Sequence, residues 1–222
     1  MNYQIHWLYK PKRGKDALLQ TEFMPLDEAL QLAADFEKTG RVKELSFYDE
    51  MGTHWTRKEA EKLGKKAEEE PQRIVLCFDG GFDLQLKRAG IGVCMYYEKN
   101  GNTYRVRRNS QFHDLDNNNE AEYAALLYGM QLLEEAGVQY QTVTLRGDSQ
   151  VVLNQLSGEW PCYEEGLARF LDRIEEKAKR LKILFQYDLV SRKQNKEAHN
   201  LATQALQGIA IDSHAPVEQQ EE

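Results

Sequence analysis

The chain has 222 residues, 41% of them hydrophobic and 29% charged, with a net charge of −7. That composition excludes a disordered polymer, and no apolar run approaches the roughly 20 residues a membrane-spanning helix needs. Residues 1–70 carry 12 Lys/Arg against 14 Asp/Glu and residues 71–222 carry 17 against 22, so neither part is a broadly basic coat for nucleic acid.

The opening stretch MNYQIHWLYKPKRGK has no apolar core followed by a small-residue cleavage site, which argues against a secretory signal. Cys77, Cys94 and Cys162 are widely spaced and form neither a disulfide framework nor a zinc pattern. Both features predict a cytoplasmic protein. Residues 1–55 read as strand (3–9), turn (11–14), strand (17–23), helix (25–38) and strand (42–48), a small ββαβ module. Trp7, Tyr9, Lys10, Lys12 and Arg13 form either a basic–aromatic stacking surface or, with Trp7 and Trp55 turned inward, part of a docking or stabilising core. Residues 56–72 are charge-rich and helix-favouring up to Pro71, and read as a helical linker.

A larger domain follows over residues 73–207. Residues 73–82 and 90–97 are apolar strands, and Lys99-Asn100-Gly101-Asn102 is hairpin turn chemistry leading into a strand at 103–109. Residues 117–136 make a helix, with Tyr123, Leu126, Leu127, Met130 and Leu133 at helical spacing and Gly137 as its stop. Then come a strand (141–146), a short helix (149–156), a longer amphipathic helix (164–182), a strand (183–190) and a last helix (195–207). The order βββ–α–β–α–α–β–α predicts an α/β fold, a mixed five-stranded sheet with helices on both faces. Residues 208–222 read as a loose acidic tail. Basic residues cluster at 105–108, 177–182 and 192–196; the middle cluster is the polar side of a helix.

Three acids occupy strand–helix junctions: Asp79 in IVLCFDGG, Glu122 in NNNEAEY and Asp148 in TLRGDSQ. Active groups in such sheets gather at the carboxyl ends of parallel strands. If the strands bearing Asp79 and Asp148 are neighbours, about 4.8 Å apart, their carboxylates approach each other, and Glu122 enters from the intervening helix. Like charges gather where a cation holds them, and hard oxygen donors suit divalent ions. Two such ions roughly 3.5–4 Å apart would clamp the attacking and leaving oxygens of a phosphodiester. A metal-dependent hydrolase of phosphate esters is the expectation from the residues alone.

Asp79-Gly80-Gly81, Ala89-Gly90-Ile91-Gly92, Asn118-Asn119-Glu120-Ala121-Glu122-Tyr123, Asp148-Ser149-Gln150 and Asn195-Lys196-Glu197-Ala198-His199-Asn200-Leu201-Ala202 resemble, in order and spacing, the successive signatures of type-1 ribonuclease H domains. The resemblance implies a ribonuclease H-like fold and endonucleolytic hydrolysis of the RNA strand of an RNA–DNA hybrid. It implies two divalent metal ions, Mg²⁺ or Mn²⁺, on Asp79, Glu122, Asp148 and His199. Gly80, Gly81, Asn118, Asn119, Gln150, Arg192 and Asn195 would contact nucleic acid, where the 2′-hydroxyl distinguishes RNA from DNA.

The sequence departs from that family at several points. His199 stands where the family carries a fourth carboxylate, which favours Mn²⁺ over Mg²⁺ and predicts activity that declines in acid. The loop 189–193 lacks the histidine some members have there. Gly158–Tyr163 replaces a tryptophan-rich basic protrusion and leaves Trp160 as either a grip residue or a core anchor. The glycine- and aromatic-rich signature of a hybrid-binding domain is not evident in residues 1–55. The rival reading is a non-catalytic or weakly active hybrid binder. A 3′–5′ exonuclease would place an acid at position 81, which is glycine.

Overall fold

The computed structural model describes residues 2–217, except for the side chains of residues 66–68, and its contacts divide the chain into two compact units, Met1–Glu69 and Glu70–Glu222. The end of the acidic tail, residues 218–222, lies outside the described residues. Among these no helix is long and apolar enough to cross a membrane.

The first unit comprises β1 (Asn2–Tyr9), β2 (Ala17–Gln20), β3 (Met24–Pro25), α1 (Leu26–Lys38), β4 (Val42–Asp49), β5 (His54–Thr56) and α2 (Arg57–Glu69). Its antiparallel sheet has the order β2-β1-β4-β5, with β3 also on β1. Tyr3 and Ile5 alternate inward from β1 onto Phe47 of β4 and Ala29 and Ala33 of α1. The tryptophans take the core option. Trp7 stacks on Phe36 with ring centroids 4.2 Å apart, and Trp55 Nε1 donates to Asp49 Oδ2 at 3.1 Å.

Two expectations for this unit need correction. β5, unseen in the sequence, is a three-residue strand ordered by Asp49, whose Oδ1 accepts the N–H groups of Met51 and Thr53. α2 is not a linker. Thr56 and Glu59 form a capping box at its start, Ala60 is fully buried in the unit's core, and Gly64 passes close to Leu30. A helix with so narrow an apolar stripe reads as solvated until a small residue such as Ala60 is seen to permit close packing.

The second unit contains β6 (Gln72–Asp83), β7 (Arg88–Lys99), β8 (Asn102–Phe112), α3 (Asn118–Glu135), β9 (Thr142–Gly147), α4 (Gln150–Leu156), α5 (Glu165–Leu181), β10 (Leu184–Leu189), α6 (Lys196–Leu206) and β11 (Asp212–Pro216). The sheet order is β10-β9-β6-β7-β8-β11, with β10, β9 and β6 parallel and the rest antiparallel. This is the expected mixed sheet with one strand more than the five predicted. Both of its faces are covered. Ile74, Leu76 and Phe78 of β6 alternate onto the face packed by α3, α4 and α5, while Cys77 meets Cys94, Ala198 and Leu201 beneath α6. Burial on both faces explains why these strands read as continuous apolar runs. The β7–β8 turn has positive φ at Asn100 and Gly101, the conformation that Asn-Gly favours in a two-residue hairpin.

The sixth strand corrects the expected loose tail. β11 pairs with β8 from Asp212↔Arg108 to Pro216↔Tyr104. Its sequence, DSHAP, has no β-branched residue, so nothing in its side chains announces a strand; the open edge of β8 supplies the order.

α6 lies directly on β7. A Cβ on Gly92 would stand 2.3 Å from the Ala198 carbonyl oxygen and 2.5 Å from the Ala202 nitrogen, both backbone atoms that cannot turn aside. Gly92→Ala is therefore expected to destabilise by about 3 kcal/mol, roughly 10 °C in melting temperature for a chain of this size. Gly81→Ala, which meets only Leu206 Cδ1 at 3.4 Å, should be close to neutral in the same thermal denaturation.

Candidate active site

Asp79 does not end β6, as the sequence implied; the strand runs four residues further. What ends near Asp79 is the parallel pairing, since β6 is bonded to β9 only as far as Cys77↔Arg146, while β7 accompanies it to Asp83↔Arg88. Asp79 thus sits where β6 and β9 diverge, and Asp148 follows the last residue of β9. Glu122 comes from the opening turns of α3, whose first turn is held by the Asn117 side chain accepting the Glu120 N–H at 2.9 Å. The three carboxylates converge: one oxygen from each lies within 4.8 Å of the others.

The neighbouring groups explain how they are held together. A Cβ on Gly80 would fall 2.2–2.4 Å from backbone atoms of Ala121 and Glu122, so glycine is what lets α3 approach β6. The Gly80 N–H then donates to Glu122 Oε2 at 3.2 Å. On the other side, Asn195 Nδ2 donates to both the Phe78 carbonyl and Asp148 Oδ1, each at 2.8 Å. One amide ties the strand of the first acid to the side chain of the third. His199 Nδ1 stands 3.1 Å from Asp79 Oδ2, and the Arg192 guanidinium lies 3.2 Å from both ring nitrogens of His199.

The electrostatics follow from burial. Asp79 and Glu122 are only 4% and 7% exposed. Burial, aided by the Asp148 charge and opposed by His199 and Arg192, pushes Asp79 up to about 6. Glu122 is pushed up to about 9, by burial first and then by the charges of Asp79 and Asp148. With no cation such a cluster retains protons near neutral pH. Three hard oxygen donors in so small a space are a donor set that fits a divalent ion.

The remaining site expectations divide. Asn118 and Asn119 open α3 and Gln150 opens α4, each within a turn of an acid, and Arg192 is exposed. Gly80 is buried, and close helix packing accounts for it. Asn195 is 2% exposed, and its Nδ2 is committed to Phe78 and Asp148 while its Oδ1 is buried without a hydrogen-bond partner among the described residues, so what the geometry gives it is a positioning contact. Its sequence signal was its place at the start of α6, one turn before His199. Trp160 is 44% exposed, which removes the core-anchor reading.

Fold and site together define a ribonuclease H-like α/β domain carrying a buried acidic cluster. Residues 77–205 match the family described as reverse transcriptase-like, and the chain belongs to that family. It is 38% identical over 205 residues to the uncharacterized protein YpeP of Bacillus subtilis (strain 168), covering 92% of this chain and 90% of that one. That match therefore extends through most of the first unit. Ribonuclease HI of Halobacterium salinarum is 35% identical over 94 residues, 40% of this chain and 43% of its own. Among solved structures, LC11-RNase H1 in complex with an RNA/DNA hybrid superposes with a TM-score of 0.54 at 25% identity, covering 61% of this chain and 98% of that one.

Proposed function

We propose that this chain is a divalent-metal-dependent endonuclease that hydrolyses the RNA strand of RNA–DNA hybrids and leaves a 5′-phosphate. The observation that carries the proposal is the convergence of Asp79, Glu122 and Asp148 within 4.8 Å. Asp79, Glu122, Asp148 and His199 would hold two ions, Mn²⁺ in preference to Mg²⁺. Bound there, divalent ions supply the positive charge that attacking and leaving oxygens need in a phosphodiester displacement. The likeness to a ribonuclease H1 solved with a hybrid supports the substrate class.

The chain's own residues have separable tasks. Gly80 N–H orients Glu122, and Asn195 orients Asp148. Arg192 places a fixed cation beside His199 and Asp79, where a phosphate would lie. Asn118, Asn119 and Gln150 offer amides from two helix starts towards the same end of the sheet, suited to a minor groove lined with 2′-hydroxyls. Cleavage of an end-labelled hybrid with Mn²⁺, absent in Asp148→Asn, tests the proposal. A chain that binds hybrid and never cuts it would be the non-catalytic binder. That second reading is favoured by one observation: Asp79 is already met by His199 and Arg192, so part of its charge is balanced without an ion.

Two outcomes follow at the supporting residues. Asn195→Ala strands the buried Phe78 carbonyl and frees Asp148; it should cost about 2 kcal/mol in unfolding free energy and weaken Mn²⁺ binding by about 10- to 100-fold in a calorimetric titration. His199→Asp restores a hard anionic donor and is expected to raise the Mg²⁺-supported cleavage rate by about tenfold relative to that with Mn²⁺. An unchanged Mg²⁺/Mn²⁺ ratio would exclude His199 as a ligand.

A further inference from the structure

A cleft of about 440 Å³ runs along the flank of α6 between that helix and β8, lined by Arg107, Lys196, Glu197, Asn200 and Gln204 over Leu201. It is separate from the acidic cluster. None of the three carboxylates lines it, and at 100° per residue Glu197, Leu201 and Gln204 point roughly 140–160° away from His199 around the helix, with Asn200 about 100° and Lys196 about 60° from it. Its volume falls in the range of small-ligand sites, roughly 300–1,000 Å³.

The charges of the cleft are asymmetric. Glu197, its one acid, is already engaged: Arg105 NH1 lies 3.1 Å from Oε1, and the Tyr96 hydroxyl donates to Oε2. The two cations of the lining are not neutralised. Arg107 is half-buried and commits only Nε, which donates to Ser213 Oγ at 3.1 Å, so its terminal nitrogens remain for a ligand. Lys196, Asn200 and Gln204 make no side-chain hydrogen bond or ion pair among the described residues. Ser213 belongs to β11, the strand formed from the C-terminal segment. The sixth strand therefore aims a guanidinium into the cleft.

We infer that this cleft is a phosphate-binding site, in which the Arg107 guanidinium and Lys196 ammonium neutralise a phosphate group and the Asn200 and Gln204 amides add hydrogen bonds. A guanidinium with its Nε anchored and its outer edge free suits two phosphate oxygens at once. The group can be carried by a free mononucleotide or by a nucleic-acid strand, and both offer the same chemistry. The inference does not rest on the nuclease reading, because it uses none of the carboxylates.

The test is a titration of the ¹⁵N-labelled full chain in EDTA with inorganic phosphate, with adenosine 5′-monophosphate and with a 12-base-pair RNA–DNA hybrid, following the side-chain amides of Asn200 and Gln204. Saturable shifts of both amides are expected, with affinity reduced about tenfold in Arg107→Gln, the loss of one charge-assisted contact. Asp148→Asn should leave these shifts unchanged, which keeps this site distinct from the acidic cluster. Saturation by phosphate or the mononucleotide assigns a free ligand, and saturation by the hybrid alone assigns a strand. If Arg107→Gln loosens β11, Lys196→Ala decides the matter, since Lys196 is exposed and its side chain makes no hydrogen bond or ion pair with that strand. No saturable shift with any of the three probes, or shifts indifferent to both substitutions, would overturn the inference.

Discussion

Asp148→Asn is expected to lower hybrid cleavage by about 10³-fold or more, while leaving hybrid affinity in EDTA unchanged or slightly tighter. The rate loss corresponds to about 4 kcal/mol of charge stabilisation that one anionic ligand contributes through its ions. The fold should not suffer. An asparagine oxygen still accepts from Asn195 Nδ2, so the link to the Phe78 carbonyl survives. Affinity should not fall either, because the substitution removes a negative charge that faces phosphates. Single-turnover cleavage with Mn²⁺, beside a fluorescence binding assay in EDTA, separates the two effects. A variant that cuts at the original rate would mean that the observed nuclease is a contaminant or that Asp148 is no ligand. A variant that loses binding and cleavage together would mean that the substitution had broken the site.

The convergence behind that prediction was largely legible in the sequence. Apolar runs leading into Asp79 and Asp148, with a helix between them, require a crossover, and a crossover between parallel strands brings their carboxyl ends together. Side-chain period and turn chemistry also announced the β7–β8 hairpin and the helices of the second unit. What stayed hidden was order imposed from outside a segment. β11 is a strand because β8 has an open edge, and α2 joins a core because Ala60 and Gly64 let it come close to the sheet and to Leu30 of α1; in both cases the partner lies in another segment. Asn195 makes a related point. A polar residue beside a site reads as a ligand contact until its buried amide is seen to join Phe78 and Asp148. Gly80 and Gly92 carry the same lesson, since each is fixed by a helix backbone distant in sequence.

The pH dependence of stability offers a test of the cluster without any substrate. In the metal-free protein Glu122 is pushed up to about 9 and Asp79 up to about 6. An unfolded chain releases these protons at the ordinary carboxylate values, near pH 4. Between the unfolded and folded values the native state binds more protons than the unfolded one, so stability falls as pH rises. For Asp79 the loss runs from about pH 4 to pH 6, and for Glu122 it continues to about pH 9. This is the reverse of the usual carboxylate in a salt bridge. Divalent ions bind the ionised cluster and displace its protons, so their stabilising effect should grow across pH 6–9. Glu122→Gln removes the larger titration yet keeps an oxygen for the Gly80 N–H. At pH 8 without metal the variant should be more stable than the wild type by about 2 kcal/mol, or about 5 °C in melting temperature. In the same scans Mn²⁺ should raise the wild-type melting temperature and barely move that of the variant. If the metal-free wild type proved the more stable at pH 8, Glu122 would have to be ionised there and held by Gly80 and Arg192 alone. The case that three clustered acids, two of them buried, await a cation would then lose its physical basis.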